Sequence, residues 1–149
     1  MNLYFEGNEV NMDYKIISAL NERQFADLCE LYRQEWWTNT RNPEDIAAML
    51  EHTDIIIGIC EDQTDRLIGF IRVLTDFVYK ALIFDVIIHE AYQGKGLGRI
   101  LLDQVTAHPK LQSVRHIELY CKPDKVAFYE KWGFTDQLGG IHFMRKTAQ

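Results

Sequence analysis

The hydrophobic period changes several times along this chain, and each change marks an element. Residues 82–88 hold six apolar side chains in seven and are followed by the polar run 89–93, the pattern of a strand buried on both faces. Beyond it Leu97, Ile100, Leu101 and Val105 recur at helical spacing, and Pro109 stops that helix. Upstream, Asn21 followed three residues later by Gln24 predicts a capping box for a helix burying Phe25, Leu28 and Tyr32. Asn42-Pro43-Glu44-Asp45 starts a second helix carrying Ile46, Met49 and Leu50 and ending near His52. Residues 55–60 and 67–74 are apolar runs joined by the polar turn 62–65, a hairpin, and residues 13–18 make a short strand before the first helix. Residues 114–120 read as a further strand, with Ile117 and Leu119 on one face. Pro123 or Asp124 opens a short helix that Gly133 ends, and residues 141–144 pair as a last strand. By plain alternation Asp85 faces away from Phe84 and Val86.

Composition narrows the class. The length and ordinary apolar content suit one well-packed domain, 12–149. Residues 1–11, with Asn2-Leu3-Tyr4-Phe5-Glu6-Gly7 similar to a protease-cleavage tag, are set aside as a tag or disordered leader before Met12. A net charge of −6 with no basic run argues against a nucleic-acid partner, and no apolar run is long enough to cross a bilayer. Cys29, Cys60 and Cys121 are widely separated, which suggests neither disulfides nor zinc and points to a reducing cytoplasm. His89, His116 and His142 have no metal spacing either, and no metal is expected.

The chemistry concentrates after the central strand. Gln93-Gly94-Lys95-Gly96-Leu97-Gly98-Arg99 lies between strand and helix, where glycines let backbone N–H groups converge on an anion. The spacing fits neither a Walker loop nor a dinucleotide fingerprint. It does fit Gln/Arg-x-x-Gly-x-Gly/Ala at Gln93, Gly96 and Gly98, and about 30 residues on stands a second motif, Phe128-Tyr129-Glu130-Lys131-Trp132-Gly133-Phe134. With both motifs in order, the chain resembles the GCN5-related N-acetyltransferase superfamily from about residue 14 to 145.

That resemblance implies a mixed, largely antiparallel α/β sheet flanked by helices, acetyl-CoA as cosubstrate, and direct acetyl transfer to a primary amine. It places the backbone of Val86, Ile87 and Ile88 beside the pantetheine arm and residues 93–99 around the pyrophosphate. It sets Phe128 against the coenzyme and makes the Tyr129 hydroxyl the donor to the departing thiolate. Asp85, the one acid in the central strand, is either a base of raised pKa or a paired structural acid. Trp36, Trp37, Phe77 and Tyr79 lie in segments that flank the acceptor side in this fold and suit a compact amine. Residues 121–124 lack the asparagine often found there in the superfamily, while residues 84–88 and 125–129 look similar to plant chloroplast-type serotonin acetyltransferases. A protein lysine or N-terminus is the alternative acceptor, and a homodimer is one open assembly. A non-catalytic acyl-CoA-binding module and a plain mononucleotide-binding domain are the readings from other classes; Tyr129 argues against the former.

Overall fold

The computed structural model describes the backbone of residues 2–3 and all of residues 13–148. Its centre is a six-stranded sheet whose spatial order is the chain order: β1 (Asn2–Leu3), β2 (Tyr14–Ile17), β3 (Ile55–Glu61), β4 (Leu67–Thr75), β5 (Lys80–Ile88) and β6 (His116–Glu118). Neighbours are antiparallel except β5 and β6, which are parallel. The largely antiparallel α/β sheet implied by the sequence is therefore formed. The tag or leader expected at residues 1–11 lies outside the described residues, apart from Asn2–Leu3, whose backbone pairs with Tyr14 and Lys15.

Among the described residues four α-helices accompany the sheet: α1 (Glu22–Gln34), α2 (Pro43–Glu51), α3 (Leu97–Thr106) and α4 (Val126–Glu130). Their starts follow the predicted caps. Asn21 Oδ1 accepts from Gln24 N at 2.8 Å while Gln24 Oε1 accepts from Asn21 N at 3.0 Å, and Asn42 Oδ1 accepts from Asp45 N. On one face of the sheet, Leu28, Leu31, Tyr32 and Ile46 of α1 and α2 pack on Cys60, Leu67, Phe70 and Ile87. On the other, Leu97, Ile100, Leu101 and Val105 of α3 pack on Ile57, Ile59, Ile71 and Ile83. Two apolar faces on one sheet explain why its inner strands read as continuous apolar runs.

Three expectations need correction. The ladder between β4 and β5 slips from Phe70↔Ile87 to Arg72↔Phe84, and Asp85 sits at φ 57 inside this bulge. The extra residue reverses parity: Ala81 and Ile83 join the α3-side core, while Ile87 joins the α1-side core. Phe84 and Asp85, predicted to oppose one another, both meet Arg72. Next, β6 is three residues long rather than seven, because β5 and β6 part after Leu82↔Glu118 and residues 119–120 have no ladder to join. Lastly, residues 141–144 form no strand. They follow Gly139 and Gly140, both at positive φ, and lie beside the end of β6, with Phe143 stacked on Tyr120 at 4.5 Å but Ile141 and Met144 78% and 87% exposed.

Candidate active site

The parting of β5 and β6 opens a cleft of about 1790 Å³. It is lined by residues 83–88 of β5, by residues 92–100, by the stretch 119–122 beyond β6, and by Phe128 and Tyr129 of α4. The strand, the glycine loop and the aromatic pair singled out in the sequence thus meet in one cavity.

The loop owes its shape to two glycines rather than three. Gly94 and Gly96 sit at φ +77 and +80, where side chains are strained, and a Cβ at either would meet nothing within 4 Å. Backbone conformation, not crowding, therefore favours glycine at these positions, and the space in front of each is open. Gly98 has no such φ, and its Cβ would lie 3.5 Å from Phe128 Cζ, an ordinary contact. Gly96 is also the N-cap of α3 and supplies no side-chain cap, so the first N–H groups of that helix remain available beside the cleft. Lys95 Nζ lies 5.3 Å from the Tyr92 ring centroid. Gln93 Nε2 donates to Ile88 O at 3.1 Å, and Gln34 Nε2 donates to the same oxygen at 2.6 Å. The carbonyl of Ile88, part of the backbone expected beside the coenzyme arm, is thereby committed within the protein.

Asp85 is the centre of a buried cluster. Its Oδ2 accepts from Arg41 Nη1 at 2.7 Å, Arg72 Nε at 2.7 Å and the Tyr32 hydroxyl at 2.9 Å, and its Oδ1 accepts from Arg41 Nη2 at 3.2 Å. Burial pushes the carboxyl's pKa up, but the bonds and charges of the two guanidiniums outweigh it and hold it below the usual carboxylate range. Tyr32, by burial first and Asp85 second, is pushed well above an ordinary phenol. A base of raised pKa is thus not what the surroundings of Asp85 make; they make the paired acid. Its partners Tyr32, Arg41 and Arg72 were missed in the sequence. The signal was there: Arg72 is the one charged residue in 67–74 and Asp85 the one in 82–88, opposite charges on successive antiparallel strands.

Tyr129 faces the cleft, its ring held edge-on by Phe128 at 5.1 Å and Phe134 at 6.1 Å. Among the described residues nothing hydrogen-bonds its hydroxyl. Burial, then the nearby Cys121, pushes its pKa up to about 12, so the proton stays on the oxygen throughout the neutral range. Trp36 and Trp37 also line the cleft, with Lys122 Nζ 4.4 Å from a Trp36 ring centroid, while Arg145, also missed in the sequence, lines it from the C-terminal segment. Phe77 and Tyr79 do not line it. They lie before β5 starts, where Lys110 Nζ is 6.0 Å from the Phe77 ring and Tyr79 O accepts from His116 N, about 20 Å along the strand from the bulge at 3.3 Å per residue. Neither ring therefore flanks an acceptor in this cleft.

A model of the acetyltransferase (GNAT) family matches residues 18–134. A rice (Oryza sativa subsp. japonica) protein named serotonin N-acetyltransferase 2, chloroplastic, is 31% identical over 138 residues, 89% of this chain and 64% of its own. A soybean (Glycine max) protein named histone acetyltransferase TAP1 is 32% identical over 138 residues, 87% and 59% of the two chains. The chain spans between 55% and 64% of the length of these two relatives and of three others it matches. In fold it is similar to a Xanthomonas campestris pv. campestris chain described as belonging to the GNAT family, with a TM-score of 0.75 at 23% identity over 90% of this chain and 94% of that one.

Proposed function

The chain belongs to the acetyltransferase (GNAT) family, and from that premise we propose that it moves an acetyl group from acetyl-CoA to the primary amine of a small molecule, by direct attack with both substrates bound. The observation that carries this reading is the parting of β5 from β6 with the glycine loop and Tyr129 on the same cleft. These residues fit the coenzyme. An unladdered strand edge at Val86 and Ile87 suits an extended amide-bearing arm, and the concavity before Gly94 and Gly96 with the uncapped start of α3 suits a pyrophosphate. Lys95 and Arg99 add charge there, and Phe128 supplies an apolar wall. Bound acetyl-CoA supplies the acetyl group as a thioester.

The protein's part is to orient and to manage protons. The Tyr129 hydroxyl, unbonded among the described residues, donates to the departing sulfur. The Asp85 cluster positions Arg41 and Arg72 at the acceptor side, and Asp85 acts through them rather than on the amine. Glu35, beside Trp36 and Trp37 and outside the guanidinium pairs, is the carboxylate that takes the amine's proton. A screen of amines with acetyl-CoA, read by release of free thiol, tests the reading: small amines should release thiol, and coenzyme binding without release for any amine would leave a binding module. A protein lysine is the second reading, favoured by the similarity to the soybean protein, and lysine peptides in the same screen separate the two.

A further inference from the structure

The acceptor side of the cleft carries an unspent donor. Arg41 and Arg72 bring two positive charges to the single carboxylate of Asp85, so the cluster keeps an excess of one cation. Arg41 spends both terminal nitrogens on Asp85. Arg72 spends only its Nε, at 2.7 Å. Its side chain is 11% exposed, its guanidinium carbon lies 4.8 Å from the Phe84 ring centroid, and it lines the cleft. Among the described residues its two terminal nitrogens have no hydrogen-bond partner. A guanidinium so placed is fixed at one edge by the carboxylate and on one face by the ring, and the other edge is a planar pair of N–H groups open to the cleft.

We propose that this edge of Arg72 selects the acceptor: the substrate is an amine that also bears a carboxylate, held end-on by the two terminal nitrogens of Arg72. A planar fork matches a planar carboxylate with two parallel bonds, which a lysine ammonium cannot do. The excess cation favours an anionic group in a cavity only partly open to water and disfavours a bare ammonium at the same spot. The inference rests on the transferase reading for its substrate, while the binding it invokes is measurable apart from transfer.

The test uses matched pairs, each an ω-amino or α-amino acid and the amine that lacks its carboxyl, with acetyl-CoA saturating and thiol release as the readout. The carboxylated member of at least one pair should have the higher kcat/KM, by about tenfold or more. In Arg72→Lys, which keeps the charge and loses the fork, that ratio should fall toward one; because it is a ratio, any loss of folded protein cancels. Calorimetric titration of the same amino acids into the protein saturated with coenzyme A gives the second arm, with Kd weaker in Arg72→Lys by a similar factor. An unchanged ratio in the variant, or preference for the carboxyl-free member in every pair, overturns the proposal. If no amine releases thiol, the transferase reading falls by itself, and the titration still decides: equal Kd in wild type and Arg72→Lys overturns the fork, and a weaker Kd in the variant upholds it.

Discussion

At Tyr129 the proposed acid role rests on one atom. Tyr129→Phe keeps the ring contacts with Phe128 and Phe134 and removes the hydroxyl. A phenol held near 12 is a weaker acid toward a thiolate than an ordinary one near 10, so its contribution belongs at the low end of general acid catalysis. Single-turnover transfer should slow by about 10²-fold with acetyl-CoA affinity retained, and full activity would return Tyr129 to a packing role. At Asp85 the expected loss is of stability. Asp85→Asn leaves two guanidiniums facing a neutral amide, and breaking such a buried group from one side costs about 3 kcal/mol, the lower end of the range because Arg41 is partly exposed. Since the folded carboxyl is held below the unfolded value near 3.9, its contribution is full above that value and drains away as pH falls through the folded one. Wild type should therefore lose its margin over Asp85→Asn below about pH 4 in chemical denaturation, while an equal margin at every pH would mean that the charge does nothing. Glu35→Gln should behave oppositely, with melting unchanged, transfer reduced about 10²-fold at neutral pH, and activity recovering as pH rises toward the amine's own pKa. A normal pH–rate profile would remove Glu35 from the mechanism.

Among the elements, those stated by periodicity or by a cap are legible in the sequence: α1 and α2 from Asn21 and Asn42, the hairpin β3–β4 from its apolar runs, α3 from its spacing and Pro109. What was not legible depends on where two strands stop pairing. The bulge at Asp85 inserts a residue without altering composition, so hydropathy alternation carries no trace of it, yet it decides which face every later residue of β5 shows. The strand read at 114–120 is cut short by the same parting that makes the cleft, and Phe77 and Tyr79 were assigned by segment when distance along β5 removes them. The loop was found by motif, but which glycines are obligatory needed φ. Gly96→Val forces a β-branched residue to +80, straining the backbone by roughly 1–2 kcal/mol and projecting methyls into the concavity. The domain should stay folded and acetyl-CoA affinity should fall at least tenfold, whereas Gly98→Ala should lose far less; equal effects at both positions would mean that the loop's left-handed turns are not what holds the coenzyme.

Over the whole molecule, charge is distributed against its sum. The chain is net −6, yet among the described residues eight Lys and Arg side chains line the cleft against three acids, Glu35, Asp85 and Asp124. A concave, partly dehydrated surface of one sign focuses its field outward, so an anionic ligand is drawn to this mouth although the rest of the surface repels it. Lys95 and Arg99 stand at the start of α3 and Lys125 and Lys131 at the ends of α4, around the place where the loop would take a pyrophosphate. Coulomb attraction between partly exposed groups is screened within about 8 Å at physiological ionic strength. Acetyl-CoA affinity should therefore weaken several-fold between 50 and 300 mM salt, concentrations chosen to move the screening length roughly from 14 to 6 Å. S-acetyl-pantetheine, which offers the same thioester arm to Val86 and Ile87 without phosphates, should bind more weakly at low salt and hardly respond to it. Competition binding of the two compounds across that range measures both slopes. Parallel slopes would show that the basic lining does not contact the phosphates, and the coenzyme would then have to be held by the strand edge and the apolar wall at Phe128 alone.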